Sequence, residues 1–479
     1  METARGLTRM HRRLALALGP AVLVWFLSGL VMLRVPYPSV TESEWFASAG
    51  ALVSESCCAP LEGIIGAIDR PQGIESLRII QVGERPVAVA QYLDGSLGAA
   101  WGDTLGPVAP LSARGAQRTV AGIVPARAIL SLEAIADDVW TVHQRFNAHR
   151  PLWKVSFSGE GEPVWYFSGA TGELVQQTTA HERRWNLVGA VLHWAYLPWL
   201  RRQWVLWDRT LWWLGGGATL MMAAGSMLLA RAFMREGRWR GVNRTRLLHR
   251  MLGVGGGAAA LAWMVSGWFS MDHGRIFSEG KIGALERERA MGGRLTARDV
   301  ESRRPDWVNT LGAGTVKELR VSKLAGAMYV IARESADRQV MIPVSAAGES
   351  GLQLFPESLV RSAVGAMLGS VERLTSRTMT DEIRRTGSAL TDTGGFPVVQ
   401  VYREGPDARW VDVDARTGEV LEQQDASRRW YHRLFDGLHR WDVPWFVGHD
   451  GLRRFLMGLW CLFGAGLTVS GVWSWVRCR

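Results

Sequence analysis

Two stretches of this sequence resemble each other: HRRLALALGPAVLVWFLSGL at residues 11–30 and HRMLGVGGGAAALAWMVSGW at residues 249–268. Each begins with His-Arg, and each has a Trp 14 positions and a Ser-Gly pair 17 positions after the histidine. Beyond the leading arginines neither carries a charge. Since a helix rises about 1.5 Å per residue, about 20 such residues cross the ~30 Å hydrocarbon layer of a membrane. The repeated stretch therefore predicts a membrane-spanning helix that occurs twice.

Uncharged segments of this length occur four times in the 479 residues, at 14–33, 210–230, 251–271 and 455–476. A charged residue stands at both ends of each segment. This pattern excludes a soluble protein and predicts four transmembrane helices. The first segment is too long for the apolar part of a signal peptide, and no small-x-small cleavage site follows it, so we expect it to remain as an anchor.

The net charge of +10 is concentrated in three short pieces: the N-terminus up to Arg13, the loop 231–250, and the C-terminus. Short arginine-rich loops stay in the cytoplasm. Both termini and the loop are therefore expected inside, and the long segments 35–208 and 272–453 outside. A nucleic-acid-binding patch is the alternative interpretation of the arginine loop, and the position of that loop between two spanning helices disfavours it.

The similarity continues beyond the two helices. Leu77-Arg78 is matched by Leu319-Arg320 at an offset of 242, against 238 for the helices. An offset of 246 then relates the following pairs: Thr171-Gly172-Glu173 and Thr417-Gly418-Glu419, His193 and His439, Pro198-Trp199 and Pro444-Trp445, Gly225 and Gly471, and Arg231 and Arg477. An offset that only grows predicts an internal duplication with two small insertions. Because each half begins and ends in the cytoplasm, the halves would be parallel repeats.

The external segments are expected to form helix-plus-sheet units, so the predicted fold class is an α+β membrane protein with four transmembrane helices from an internal duplication. Alternating apolar residues on either side of a glycine turn predict antiparallel hairpins at 165–175 and 411–421. A helix is expected before each hairpin, at 129–144 and at 357–374. Upstream, further strand pairs are predicted at 77–82 with 87–92 and at 319–322 with 328–332. We therefore expect two units per half, four in all.

These predictions divide the chain into seven parts. The expected boundaries are 1–34 for the cytoplasmic N-terminus and transmembrane helix 1, 35–184 for the first periplasmic region, 185–232 for an interfacial segment and helix 2, 233–247 for the basic cytoplasmic loop, 248–271 for helix 3, 272–427 for the second periplasmic region, and 428–479 for an interfacial segment and helix 4. In each half, the chain enters the membrane, forms an external domain and returns through a Leu-His…Pro-Trp segment.

The strand–Thr-Gly-Glu–strand endings resemble PepSY domains. Their coupling to Leu192-His193 or Leu438-His439 and then to a spanning helix resembles the PepSY-associated transmembrane family, as does the ending Ser470-Gly471-Val472-Trp473. Some members of that family are inner-membrane ferrisiderophore reductases that hold b-type haem between membrane helices, and others have no clear activity. The resemblance implies a bacterial inner-membrane protein with periplasmic PepSY-like domains that carries electrons outward to ferric iron.

Four of the ten histidines have a histidine at the repeat-related position: His11 with His249, and His193 with His439. A b-type haem takes one or two axial imidazoles from helices that approach closely. We therefore predict that His11 and His249 are the axial ligands of a haem iron near the cytoplasmic edge, and that His193 and His439 ligate another near the periplasmic edge. The sequence does not decide between one haem and two, and His273 is a substitute ligand. The alternative to haem ligation is that these histidines lie at the level of the lipid headgroups.

The glycines at 215–217, 253, 255–257, 464 and 466 remove side-chain bulk from three of the predicted helices. They would admit either a flat porphyrin or a neighbouring helix. Arg12, Arg13 and Arg250 could pair with haem propionates, although their role as positive-inside anchors is the favoured interpretation.

No dinucleotide-binding fingerprint after a strand, no Walker loop and no cysteine cluster occurs, so the sequence does not support flavin, nicotinamide, nucleotide or iron–sulfur sites. A separate quinol or cytoplasmic reductase is expected to donate the electrons, and a ferric siderophore or other periplasmic acceptor to receive them. No catalytic residue is predicted beyond the haem ligands. Cys57 and Cys58 are expected to be buried or lightly reactive thiols, because a disulfide between neighbours is strained.

Two other functions compete with electron transfer. A non-catalytic PepSY membrane protein would bind or regulate a periplasmic peptide, protease or partner, with the helices serving only as anchors. This hypothesis does not explain why the histidines are duplicated. A transporter built from parallel repeats is the third hypothesis, and it ranks last because the spanning segments contain none of the ionisable residues that transport paths usually need.

Overall fold

The computed structural model describes residues 2–52, 57–108, 112–123, 128–234, 242–300, 315–344, 351–370, 374–379, 397–405, 407–446 and 448–476. Residues 235–241 of the basic loop predicted at 233–247, and the C-terminal arginines, lie outside the described residues.

Runs of helices and runs of strands follow one another along the chain. The helices are α1 (Glu2–Met32), α2 (Glu42–Ser48), α3 (Leu61–Ile68), α4 (Ala113–Ile123), α5 (Ala180–Val188), α6 (Ala190–His193), α7 (Pro198–Arg201), α8 (Trp204–Phe233), α9 (Arg244–Ser270), α10 (Ala284–Met291), α11 (Glu357–Leu368), α12 (Ala426–His432) and α13 (Asp450–Val476). The strands are β1 (Ile74–Val82), β2 (Arg85–Tyr92), β3 (Leu97–Trp101), β4 (Ile129–Ile135), β5 (Leu152–Phe157), β6 (Val164–Ser168), β7 (Leu174–Thr178), β8 (Glu318–Leu324), β9 (Ala327–Arg333), β10 (Gln339–Pro343), β11 (Leu374–Met379), β12 (Val398–Arg403), β13 (Arg409–Asp414) and β14 (Val420–Gln424). Short 3₁₀ segments lie at Gln144–His149, Ala297–Asp299 and Pro444–Phe446, and a π-helical segment lies at Arg433–His439.

Four helices, α1, α8, α9 and α13, are long and apolar enough to cross a membrane, as the uncharged segments predicted. They pack as a ring in which α1 and α9 each contact both α8 and α13. As a result α1 and α9 lie diagonally opposite each other. The centre of the ring is filled by apolar side chains that include Phe26, Met221 and Trp263.

Several glycines of these helices lie against aromatic side chains. A Cβ at Gly215 or Gly216 would come within 3.1 Å of the Trp268 indole, and one at Gly256 within 2.7 Å of Phe463. Since the space beside these glycines already holds an aromatic ring, their small size serves the packing of helix against helix. Of the two predicted uses for this set of glycines, the structure shows helix packing at these positions.

The described residues outside the four long helices form three antiparallel sheets, with strand orders β10-β9-β8-β1-β2-β3, β4-β5-β6-β7 and β11-β12-β13-β14. The expectation of four separate units is wrong, because the two upstream hairpins join into one six-stranded sheet. They join where β1 pairs with β8, with Leu77 opposite Val321 and Arg78 opposite Arg320. Each strand would otherwise be an unpaired apolar edge, and pairing satisfies both edges at once.

The downstream hairpins are confirmed. The strand pairs β6–β7 and β13–β14 are antiparallel, and their turns contain Gly172 and Gly418 with φ of 80° and 75°. A positive φ of this kind carries little cost only for glycine. The predicted helix at 357–374 begins as expected at Glu357 and ends at Leu368, where Gly369 takes a left-handed conformation.

The predicted helix at 129–144 is wrong. Residues Ile129–Ile135 form β4, which pairs with β5 so that Leu132 lies opposite Val155. The pairing of these backbone groups with a neighbouring strand overrides the weak helical pattern of the segment. The helix that packs on this sheet is α4, which lies earlier in the chain.

The expectation of free thiols at Cys57 and Cys58 is also wrong. The two residues are bonded to each other as a disulfide. They pack against the core formed by α3 and the central sheet, and that core holds the two side chains side by side.

Candidate functional site

His11 and His249 face each other across the helix ring. Their ring centroids are 6.4 Å apart, with an angle of 44° between the ring planes. The Nδ1 atom of His11 lies 2.9 Å from the Met221 carbonyl oxygen on α8, and Nδ1 of His249 lies 3.0 Å from the Leu467 carbonyl oxygen on α13. A carbonyl oxygen can only accept, so Nδ1 carries the hydrogen in both rings and Nε2 has the free lone pair.

His193 and His439 form a second pair of the same kind at the other end of the ring. Their centroids are 6.3 Å apart and their planes are inclined at 59°. Nδ1 of His193 lies 3.0 Å from the Ser28 hydroxyl, and Nδ1 of His439 lies 3.2 Å from the Ser266 hydroxyl. Each serine donates its own hydrogen to a backbone carbonyl three residues earlier in its helix. Each must therefore accept from the histidine, which again leaves the lone pair on Nε2.

A glycine lies against each of the four rings. A Cβ at Gly225 would come within 2.8 Å of the His11 ring, and one at Gly471 within 3.1 Å of the His249 ring. Gly29 and Gly267 stand in the same way beside His193 and His439, at 3.7 and 3.1 Å. Most of these distances are too short for a methyl group, so the position of the rings depends on the absence of a side chain there.

The separation within each pair fits two imidazoles bound to one metal ion from opposite sides. Metal–imidazole bonds are about 2.0–2.1 Å long, so rings bound through Nε2 on opposite sides of one ion have centroids about 6 to 6.5 Å apart. Among the described residues, no cluster of three or more His, Cys, Asp or Glu side chains is placed to hold a metal ion. Two facing imidazoles are compatible with a haem, whose macrocycle would supply the other ligands of its iron.

The two pairs lie at opposite ends of the bundle. Ser28 follows His11 by seventeen residues on α1, and Ser266 follows His249 by the same interval on α9, which corresponds to about 26 Å of helix. The space between them is occupied by apolar side chains, including Phe26 and Trp263, whose ring centroids are 6.2 Å apart. The two pairs are thus separate sites with apolar side chains between them.

The second pair lies just outside the spanning helices. His193 ends α6, and His439 ends the π-helical segment Arg433–His439. Burial lowers the pKa of His193 to about 4 and the pKa of His439 to about 3. Both rings are therefore neutral at pH 7, which is the state in which imidazole binds a metal ion.

The remaining histidines have other partners. His273, the predicted substitute ligand, is hydrogen-bonded to Asp208 and stacked on Trp212 at 4.9 Å, away from both pairs. His432 is buried between Asp436 at 2.7 Å and Glu422 at 3.0 Å. Sequence reasoning overlooked this cluster because the repeat-related residue is Asn186, although an acid four residues after a histidine is a visible sign of such a contact.

Two comparisons with known proteins identify no relative of this chain. A scan against protein-family models finds no match, and a search of the curated proteins finds none either.

Proposed function

We propose that this chain is a b-type haem protein of the bacterial inner membrane that passes electrons across the membrane as a ferric or ferrisiderophore reductase in iron acquisition. The observation that carries this proposal is the pair of facing imidazoles at each end of the helix ring. Their centroid separations of 6.4 and 6.3 Å both suit two axial ligands on one iron. We assign one haem to His11 and His249 and one to His193 and His439.

An internal duplication with a two-fold relationship explains why these contacts occur twice. In one half His11 lies against Gly225, and in the other half His249 lies against Gly471. The same holds for His193 with Ser28 and His439 with Ser266. Contacts that repeat at matching positions support the view that both halves were built around the same chemical group.

In this proposal the chain holds the four histidine rings in position and shields them from water. The carbonyl groups of Met221 and Leu467 and the hydroxyl groups of Ser28 and Ser266 fix the four rings, while the apolar core excludes water. Haem supplies a reversible one-electron change at its iron when bound. The paired histidines would hold the haem, and because transfer of an electron alone moves no proton, no acid or base side chain is assigned a catalytic role.

The orientation follows from the arginine-rich termini and loop, which favour a cytoplasmic location. The three sheets then lie in the periplasm as PepSY-like domains, next to the His193–His439 pair. A quinol or a cytoplasmic reductase would supply electrons at the His11–His249 end. A ferric siderophore or another ferric chelate would receive them at the periplasmic end.

An absorption spectrum of the purified full-length protein, recorded before and after dithionite, tests this proposal. We expect a Soret band that sharpens and shifts on reduction. The alternative, a PepSY membrane protein that binds or regulates a periplasmic partner, predicts colourless protein whose four paired histidines tolerate alanine. Colourless protein from haem-replete cells would contradict the haem proposal and support the partner-binding alternative.

A further inference from the structure

Arg201 is a buried cation for which the described part of the chain provides no carboxylate. It ends α7, just before the second spanning helix, and its side chain is 6% exposed. The polar group that faces its guanidinium is the Tyr196 phenol. Its Nε atom is buried with no hydrogen-bond partner among the described residues. A buried charge without a counter-charge is costly, and proteins normally avoid it.

Three aromatic rings surround this guanidinium. Its central carbon lies 4.4 Å from the ring centroids of both Trp204 and Trp207, and 5.6 Å from that of Tyr196. The faces of aromatic rings attract a cation, and they do so most strongly where water is excluded. The ring faces orient the guanidinium without accepting a hydrogen bond from it, and beside the Tyr196 phenol its Nε–H is left without an acceptor among the described residues.

The charged neighbours of Arg201 increase its need for an anion. Burial, followed by the charges of Arg145 and Arg201, lowers the pKa of His143 to about 4. Burial also lowers the pKa of Arg201 itself. Two cations, Arg145 and Arg201, thus act on the same buried ring, and a negatively charged partner at Arg201 would offset the buried charge there.

Arg202, the next residue, differs from Arg201 in having a carboxylate partner in the part of the chain that the structure describes. Arg202 pairs with Asp137 at 2.9 Å, and its side chain is 56% exposed. In the second half of the sequence, the position related to Arg201 holds Val447. By sequence, the cation at Arg201 is therefore specific to the first half.

The aromatic rings around Arg201 are connected directly to the His193 segment. The Trp207 indole donates to the carbonyl oxygen of Trp194, 2.9 Å away, and Trp194 is the residue after His193. Tyr196 lies 5.2 Å from the Trp194 ring. An anion held by Arg201 would therefore lie next to the segment that carries His193.

We propose that Arg201, within its aromatic surroundings, is a binding site for a carboxylate. The planar guanidinium presents parallel N–H groups that match the two oxygens of a carboxylate. Two sources supply this group next to His193: a propionate of the haem assigned to that pair, and a carboxylate of an anionic ferric chelate that approaches as acceptor. The first source rests on the proposed function, and the second can be measured without it.

The test compares Arg201→Gln with Arg202→Gln in the full-length protein in detergent, with Arg201→Lys as a variant that keeps the charge. One measurement is the midpoint potential of each haem from a spectroelectrochemical titration. The other is binding of gallium(III) citrate by equilibrium dialysis, because this chelate carries carboxylates and its metal is not reduced. Size-exclusion chromatography identifies any variant that fails to fold, in which case Arg201→Lys, which loses the planar fork, provides the comparison.

Loss of a propionate contact lowers the potential of one haem in Arg201→Gln by about 60 mV, the one-electron equivalent of a tenfold change, and leaves citrate binding unaltered. Loss of an acceptor contact weakens gallium citrate binding by about tenfold and leaves both potentials unaltered. Either result, absent in Arg202→Gln, supports the site and identifies its source. If Arg201→Gln and Arg202→Gln behave alike in both measurements, the site is refuted. Colourless protein refutes the haem assignment, while the citrate measurement still decides the fate of the Arg201 site.

Discussion

Arg78 and Arg320 lie directly opposite each other where β1 pairs with β8 in the central sheet. Each reaches the glutamate of a Thr-Gly-Glu turn in a different flanking sheet: Arg78 lies 2.8 Å from Glu173, and Arg320 lies 3.4 Å from Glu419. The two short motifs that recur in the sequence are therefore the two ends of the same ion pairs. Through them the central sheet is attached to both of its neighbours.

Removing the charge of Glu173 should destabilise the extramembrane region. Glu173 is buried, and loss of one partner from a buried ion pair costs about 3–5 kcal/mol. Because Arg78 keeps Glu318 at 3.6 Å, we expect Glu173→Gln to lie near the lower limit, at about 3 kcal/mol. Chemical denaturation of the full-length protein measures this.

Glu162→Gln is the matched control for Glu173→Gln. Glu162 faces Arg184 at 4.0 Å, and both side chains are more than two-thirds exposed. An exposed pair of this kind contributes less than about 1 kcal/mol. Equal effects of the two substitutions would show that Glu173 does not anchor the flanking sheet.

The stability of the protein should fall as pH rises from about 6.5 to 9, because of His432. Hydrogen bonds and charges from Asp436 and Glu422 raise the pKa of His432 to about 9 in spite of its burial. The charged ring is thus favoured in the folded state. Its stabilisation, roughly 3 kcal/mol, is fully present below the unfolded pKa of about 6.5 and is lost as pH rises through 9.

His432→Asn isolates this effect, because the related position in the first half already holds Asn186. Melting temperatures of both proteins across pH 6 to 10 provide the measurement. Burial raises the pKa of Asp412 to about 7, against the charge of His432, which lowers it. Asp412 therefore adds a slope of the same sign at lower pH, and this slope moves to higher pH in the variant. A decline between pH 6.5 and 9 that persists in the variant would rule out His432 as its cause.

Gly225→Ala should reduce haem binding at the His11–His249 pair. The new methyl group would lie within 2.8 Å of the His11 ring and would displace it. Alanine otherwise favours a helix over glycine by about 1 kcal/mol, so the helix itself is not weakened. Haem content per chain, from the pyridine haemochrome assay, gives the result.

Gly257→Ala serves as the control for Gly225→Ala. It also lies in a spanning helix, and no atom comes within 4 Å of its Cβ position. We expect this variant to retain its full haem content. Haem loss in both variants would indicate a general disturbance of the helices instead of a specific contact with His11.

The elements that the sequence predicts well are those whose signals are local. Uncharged length alone located α1, α8, α9 and α13, and alternation around glycine located the hairpins. The pairing of β1 with β8 joins residues that are 242 positions apart at Arg78 and Arg320. Nothing in either strand specifies the other as its partner, so the single six-stranded sheet could not be anticipated.

The sequence predicted part of the histidine site because some of its residues occur in both halves of the chain. Repetition singled out His11, His249, His193 and His439, and it also marked Gly225, Gly471 and the two Ser-Gly pairs that contact them. Arg201 and His432 were missed because neither has a counterpart in the other half. Their significance depends on burial and on neighbouring charges, which only the folded chain shows.

The central claim is that each facing pair of histidines binds one haem, and haem stoichiometry in histidine variants tests it most directly. We expect about two haems per chain in the unaltered protein and about one in His11→Ala, in His249→Ala and in the variant that carries both changes. Combining His11→Ala with His193→Ala should remove both haems, whereas His181→Ala, at an exposed position, should remove none. Protein without haem, or unchanged haem content in the paired-histidine variants, would contradict the claim.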